Sequence, residues 1–173
     1  MEFLKRFMFM ESGDGKLLEI NINEISEKDF LRKKDSIPVL FSSDKQPRSY
    51  YLLSIDDKQQ WLIDQVDVGL KSIPYMICSE SNLLFVATTF NLYVIDYINN
   101  KIDLEYVLQT PCVDFFTKDE IVYVICETEL VHFSLKYNRI VKCDKFSYML
   151  EDLIITKDCV VITLENGEIV TVR

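Results

Sequence analysis

Glycine and proline are scarce, four each in 173 residues, and histidine and tryptophan occur once each. With 49% hydrophobic and 27% charged residues the composition is ordinary for a globular chain and excludes a disordered one. The sequence has no phosphate-cradling loop, since Gly13-Asp14-Gly15 lacks the later Gly and the Lys-Ser/Thr that hold a phosphate. The lone histidine, His132, excludes a two-histidine metal helix. No apolar run approaches the ~18–20 residues of a membrane-spanning helix. The opening Met1–Met10 is interrupted by Lys5 and Arg6 and does not read as a secretory leader. The expectation is a cytoplasmic protein without a membrane segment.

Positive charge is also in short supply. Lys and Arg number 19 against 28 Asp and Glu, a formal charge of −9. Nucleic-acid binders need a basic surface to displace counterions, so a direct nucleic-acid role is disfavoured. Cys78, Cys112, Cys126, Cys143 and Cys159 are odd in number and include no Cys-x-x-Cys pair. Neither a disulfide framework nor a zinc knuckle fits, and reduced, buried thiols are expected.

Against these absences stands abundant apolar and aromatic material, 49% hydrophobic with 11 Phe and 9 Tyr. It is organised as a repeat. Residues 73–96, 110–134 and 149–172 align, Thr117-Lys118-Asp119 recurs as Thr156-Lys157-Asp158, and Ser36-Ile37-Pro38 recurs as Ser72-Ile73-Pro74. The unit is about 36–39 residues. Leu83–Ala87, Ile121–Cys126 and Cys159–Leu164 read as buried strands. Each is followed by a short polar turn, then by a second strand ending in Asp or Ser in the first two cases. Asn166-Gly167 suits a two-residue hairpin turn. Ile102–Leu108 and Ile140–Phe146 supply a more polar outer strand. Glu24–Asp35 breaks the pattern, and Ser26 with Asp29 can open a short helix there, a solvated loop being the other reading.

Four-stranded meanders repeated near 40 residues resemble β-propeller blades. The resemblance covers residues 37–173 well and the first 36 loosely, and the Trp-Asp and Gly-Gly signatures of two large propeller families are missing. The expected fold is all-β: a small β-propeller-like array of four-stranded antiparallel meanders, four or five blades in a single domain. An antiparallel sandwich or barrel is the alternative. Repeats are placed near 37–72, 73–109, 110–148 and 149–173, with a degenerate unit at 1–36 whose hairpin spans about 7–22.

No catalytic constellation stands out. His132, in Leu-Val-His-Phe-Ser, lacks a second histidine or an activated nucleophile and reads as structural. The expectation is no enzyme, no metal and no cofactor. The turns between the second and third strands of each unit concentrate acids: Glu11, Asp14, Glu127, Glu129, Glu165 and Glu168, opposed only by Lys16. With Phe90, they form the expected partner-binding face. Small, acidic, β-rich and non-catalytic, the chain is similar in character to the bacterial immunity proteins that neutralise secreted toxins. That resemblance implies a basic, nuclease-type toxin domain as partner, met by an anionic face that focuses the encounter. A propeller scaffold with a non-basic partner, or a propeller enzyme, are the other readings.

Overall fold

The computed structural model describes residues 10–11, 17–41, 48–56, 58–66, 72–156 and 159–172. The chain divides into two compact units, Met1–Tyr106 and Val107–Arg173.

In the first unit, β1 (Met10–Glu11) pairs with β2 (Leu17–Leu18) in a short antiparallel ladder. This pairing falls inside the hairpin expected at 7–22, of which residues 7–9 and 12–16 lie outside the described residues. The next strand, β3 (Ile20–Ile25), does not extend that hairpin but pairs antiparallel with β5 (Arg48–Ile55), Ile22 opposite Leu53. Between them come α1 (Glu27–Lys33) and β4 (Val39–Phe41). After β5 the chain turns back as β6 (Gln59–Val66), and β4 lies parallel on its far side, Leu40 opposite Ile63. The sheet order is therefore β3-β5-β6-β4 and not a plain meander.

The expectation for residues 37–72 was a four-stranded meander complete in itself, and the sheet differs from it. The first position is filled from the supposedly separate segment 1–36. The physical reason is the crossover. β3 and β4 run parallel at opposite edges, and parallel strands need a long connection, usually a helix. Helix α1 supplies it. Ser26 caps it by accepting the Asp29 N–H at 3.1 Å, while its hydroxyl donates to the Asp29 carboxylate at 2.8 Å. Its one buried residue, Phe30, packs on Tyr50 of β5 with ring centroids 4.6 Å apart.

The second sheet of this unit is the expected meander: β7 (Tyr75–Cys78), a 3-10 turn at Ser79–Ser81, β8 (Leu83–Ala87), β9 (Asn91–Asp96) and β10 (Lys101–Val107). All of β8 is buried, and all of β9 except Asp96. That is why both strands read as continuous apolar runs and not as alternations. Leu40, Leu53, Trp61, Leu84, Val86 and Ile95 join the two sheets in one core. Tyr93 fastens them: its hydroxyl accepts the Phe41 N–H at 3.0 Å and donates to the Phe41 carbonyl at 2.6 Å.

The second unit begins with another meander, β11 (Cys112–Lys118), β12 (Ile121–Cys126), β13 (Glu129–Ser134) and β14 (Arg139–Lys145). A three-stranded sheet follows: β15 (Leu150–Ile155), β16 (Val160–Leu164) and β17 (Ile169–Val172). Ile125 and Leu130 pack against Val160, Ile162, Leu164 and Val172 to form its core.

The turns explain the recurring polar residues. Asp96 ends β9 and its carboxylate accepts the N–H groups of Ile98 and Asn99 at 3.0 and 2.9 Å. Those bonds favour the ionised form and hold its pKa down. Ser134, at the matching end of β13, accepts the Tyr137 N–H at 3.4 Å. Each turn then closes through an asparagine in the left-handed region, Asn100 at φ 53° and Asn138 at φ 48°. The hairpin at Glu165–Glu168 differs from the two-residue turn expected. Only Gly167 has positive φ (82°), and its N–H donates to Leu164 O at 2.8 Å. The loop is the longer kind, a turn followed by one left-handed glycine.

Candidate functional site: the acidic turn end of the second unit

Four chain segments meet at one end of the second unit. The Leu150 N–H donates to Glu127 O at 2.7 Å, the Phe146 N–H to Thr128 O at 2.9 Å, and the Glu165 N–H to Met149 O at 2.9 Å. Thr128 N–H donates to Thr110 Oγ1 at 3.1 Å, clipping on the approach to β11. Glu127, Glu165 and Glu168 are thus carried on adjoining turns. Glu165 and Glu168 are exposed and Glu127 is partly so. Glu151 is exposed just beyond, and Lys145 is the cation nearest in the chain at that end. The opposite end carries Asp119 and Glu120 against Lys118, Lys136 and Arg139. There the Lys136 and Arg139 cations lie over the Tyr137 ring, at 5.5 and 5.6 Å from its centroid. The unit is polarised from an acidic end to a weakly basic one.

Glu129 does not belong to that surface. It is 1% exposed. Its Oε1 accepts the Gln109 N–H at 2.6 Å and its Oε2 accepts the Cys143 thiol at 3.4 Å. A buried carboxylate needs such donors, and here it ties the entry of β11 to β13 and β14. The expectation that Glu129 projects to a partner is corrected accordingly. Phe90 lies in the first unit, half-buried at the β8–β9 turn. Glu11 is placed by its backbone in β1, and Asp14 lies outside the described residues. The structure therefore brings together Glu127, Glu165 and Glu168 of the seven expected residues.

Beside the acidic turns an open cleft of about 290 Å³ separates β14 from β17. Lys142, Asp144, Lys145, Phe146 and Glu168 line it. His132 stands behind Asp144, 5% exposed, within a cross-strand row. Phe116, Tyr123, His132 and Lys142 are successive partners across β11 to β14. Phe116 and Tyr123 stack at 4.4 Å, and Tyr123 tilts onto His132 at 4.8 Å. His132 Nε2 is 2.8 Å from Asp144 Oδ2, and Lys142 Nζ is 2.9 Å from Asp144 Oδ1. A carboxylate only accepts, so Nε2 carries the hydrogen. Burial lowers the histidine's pKa, and Lys142 adds to that, while Asp144 pulls the other way. The ring is a neutral, committed donor, which suits a structural link between β13 and β14. Asp144, Lys142 and Gln109 went unnoticed in the sequence because their roles depend on cross-strand register.

No family model matches the chain, and no curated protein matches it. Among solved structures it is similar to Sqt1 of Saccharomyces cerevisiae, a WD40/β-propeller-like protein, with a TM-score of 0.53 and 11% identity. That alignment covers 92% of this chain and 48% of Sqt1, so the chain spans about half the length of that protein. The computationally designed Ika4 protein aligns with a TM-score of 0.47, 12% identity, and 79% and 89% coverage. A segment of HIRA aligns at 0.43, 12% identity, and 88% and 45% coverage. The likeness to Sqt1 together with the successive four-stranded sheets establishes an all-β, propeller-like fold.

Proposed function

We propose that this chain is a non-catalytic protein-binding module whose acidic turn end, in the second unit, receives a basic protein partner. In its finer form the reading is an immunity-type inhibitor that covers the cationic groove of a toxin nuclease in the cytosol. One observation carries it: Glu127, Glu165 and Glu168 are set on turns tied together through their backbones, with Lys145 as the neighbouring cation. Carboxylates held on a rigid scaffold need no reordering on binding, and their summed field raises the encounter rate of a cationic partner. His132, the one histidine, is already committed to Asp144.

Affinity capture with the whole chain as bait tests the proposal, comparing the wild type with the E127Q/E165Q/E168Q variant at low and high salt. The expected result is a basic protein, retained at low salt and lost both at high salt and with the variant. Inhibition of that protein's nuclease activity supports the finer reading. A neutral or acidic partner retained equally by both baits refutes the anionic-face proposal and favours a scaffold with a non-basic partner.

A further inference from the structure

Cys112 of β11 and Cys126 of β12 stand directly opposite one another in the antiparallel ladder. One step outward, the Glu127 N–H donates to Pro111 O at 3.2 Å. Pro111 and Glu127 are therefore the hydrogen-bonded pair. Such pairs alternate along an antiparallel ladder, so Cys112 and Cys126 occupy the other kind of site, where Cα atoms are about 4.5 Å apart and side chains approach most closely. That separation lies inside the ~4.4–6.8 Å range a disulfide spans. Directly opposed residues project from the same face, so the two thiols neighbour one another across the ladder. The remaining cysteines lack this relation. Cys78 faces Leu83, Cys143 faces Val131, and Cys159 contacts Thr156.

We propose that Cys112 and Cys126 form a redox modification site, closing reversibly into a cross-strand disulfide by exchange with a low-molecular-weight disulfide such as oxidised glutathione. One cysteine, as thiolate, attacks a sulfur of oxidised glutathione. A protein–glutathione mixed disulfide forms and one glutathione is released as its thiol. The second cysteine then attacks the protein sulfur of that mixed disulfide, forming the Cys112–Cys126 bond and releasing the second glutathione. The two cysteines lose two electrons and two protons, and both reappear in the two glutathione thiols.

Both residues are buried, at 1% and 0% exposure, and burial pushes the Cys112 thiol pKa up. Exchange therefore passes through an opened start of β11. The ladder is weak there. Pro111 donates no hydrogen bond, and the register shifts between Cys112 and Asp114, leaving Val113 in solvent at 42% exposure. Closure must also draw the strands inward, because opposed Cβ atoms in a sheet lie about 4.5–5.5 Å apart and a disulfide prefers about 3.8 Å. The same opened state that admits oxidised glutathione admits a reducing thiol, which makes the site reversible.

The test equilibrates the full chain in glutathione buffers of increasing oxidised fraction, quenches with acid, alkylates under denaturing conditions and measures intact mass and linked peptides. The five thiols should fall to three alkylatable ones, with Cys112 linked to Cys126, and dithiothreitol should restore all five. C78A/C143A/C159A should still lose two hydrogens under the same conditions, while C112A should lose none. Five alkylatable thiols at equilibrium in the most oxidising buffer overturn the proposal. So does a link through any other cysteine, or a stable glutathione adduct with no link.

Discussion

Replacing Glu129 separates a structural carboxylate from the surface acids beside it in sequence. Glu129→Ala removes the acceptor of the Gln109 N–H, a 2.6 Å bond to a side chain 1% exposed. A hydrogen bond to a charged group contributes about 1.5–3 kcal/mol, and stranding a buried donor costs about 1–3 kcal/mol. These overlap, and water entering the vacated space recovers part of the second. A net loss of about 2–4 kcal/mol follows, a lowering of Tm by roughly 4–16 °C at this chain length. Glu129→Gln keeps a carbonyl oxygen for Gln109 but turns a neutral amide toward the Cys143 sulfur, so its loss should be nearer 1 kcal/mol. Urea denaturation followed by far-UV circular dichroism gives the ranking. Amide exchange gives the location: Gln109 should lose protection in the Ala variant before the strand amides of β12. An Ala variant as stable as wild type, with Gln109 still protected, refutes the assignment of Glu129 to the interior.

Other elements make separate predictions. Arg48 and Asp64 form an ion pair across β5 and β6, with Nε donating to Oδ1 at 2.7 Å and side chains 13% and 9% exposed. Asp64→Asn should cost about 3–5 kcal/mol in urea denaturation, because it leaves a buried guanidinium without its counter-charge. Ser26→Ala should cost about 1 kcal/mol, and Ser26→Gly less, if the crossover helix depends on its cap. His132 has a pKa lowered from 6.5, so the unfolded chain takes up this proton first as pH falls. The contribution is fully present above 6.5 and is lost as pH drops from 6.5 through the lower folded value. His132→Gln should flatten that part of a stability-versus-pH curve, and identical slopes for the two proteins contradict the assignment.

The hairpins β8–β9, β12–β13 and β16–β17 were legible because apolar β-branched runs and polar turns are local signals. So was the start of α1, since Ser26 and Asp29 are three residues apart and act on each other. The parallel placement of β4 was not legible. Nothing in Val39–Phe41 distinguishes a strand beside β5 from one beside β6, and the choice rests on a crossover spanning residues 26–38. The misplacement of Glu129 has a similar cause. Glu127 and Glu129 share a charge and lie two residues apart, and only the distant Gln109 N–H selects one for the interior. The Asn166-Gly167 turn was legible as a hairpin but not in its length, which depends on which residue takes positive φ.

The central claim concerns the acidic end, and matched charge removal tests it most directly. Glu165→Gln with Glu168→Gln removes two exposed charges from the turn end, and Asp119→Asn with Glu120→Gln removes two from the opposite end of the same unit. Neither pair should alter folding appreciably, since exposed charges are worth about 0–1 kcal/mol each. Association rates with the captured partner, measured across a salt series, provide the readout. The account predicts a slower on-rate and a shallower salt dependence for the first pair, with little change for the second. Equal rates and equal salt slopes for the two variants contradict it.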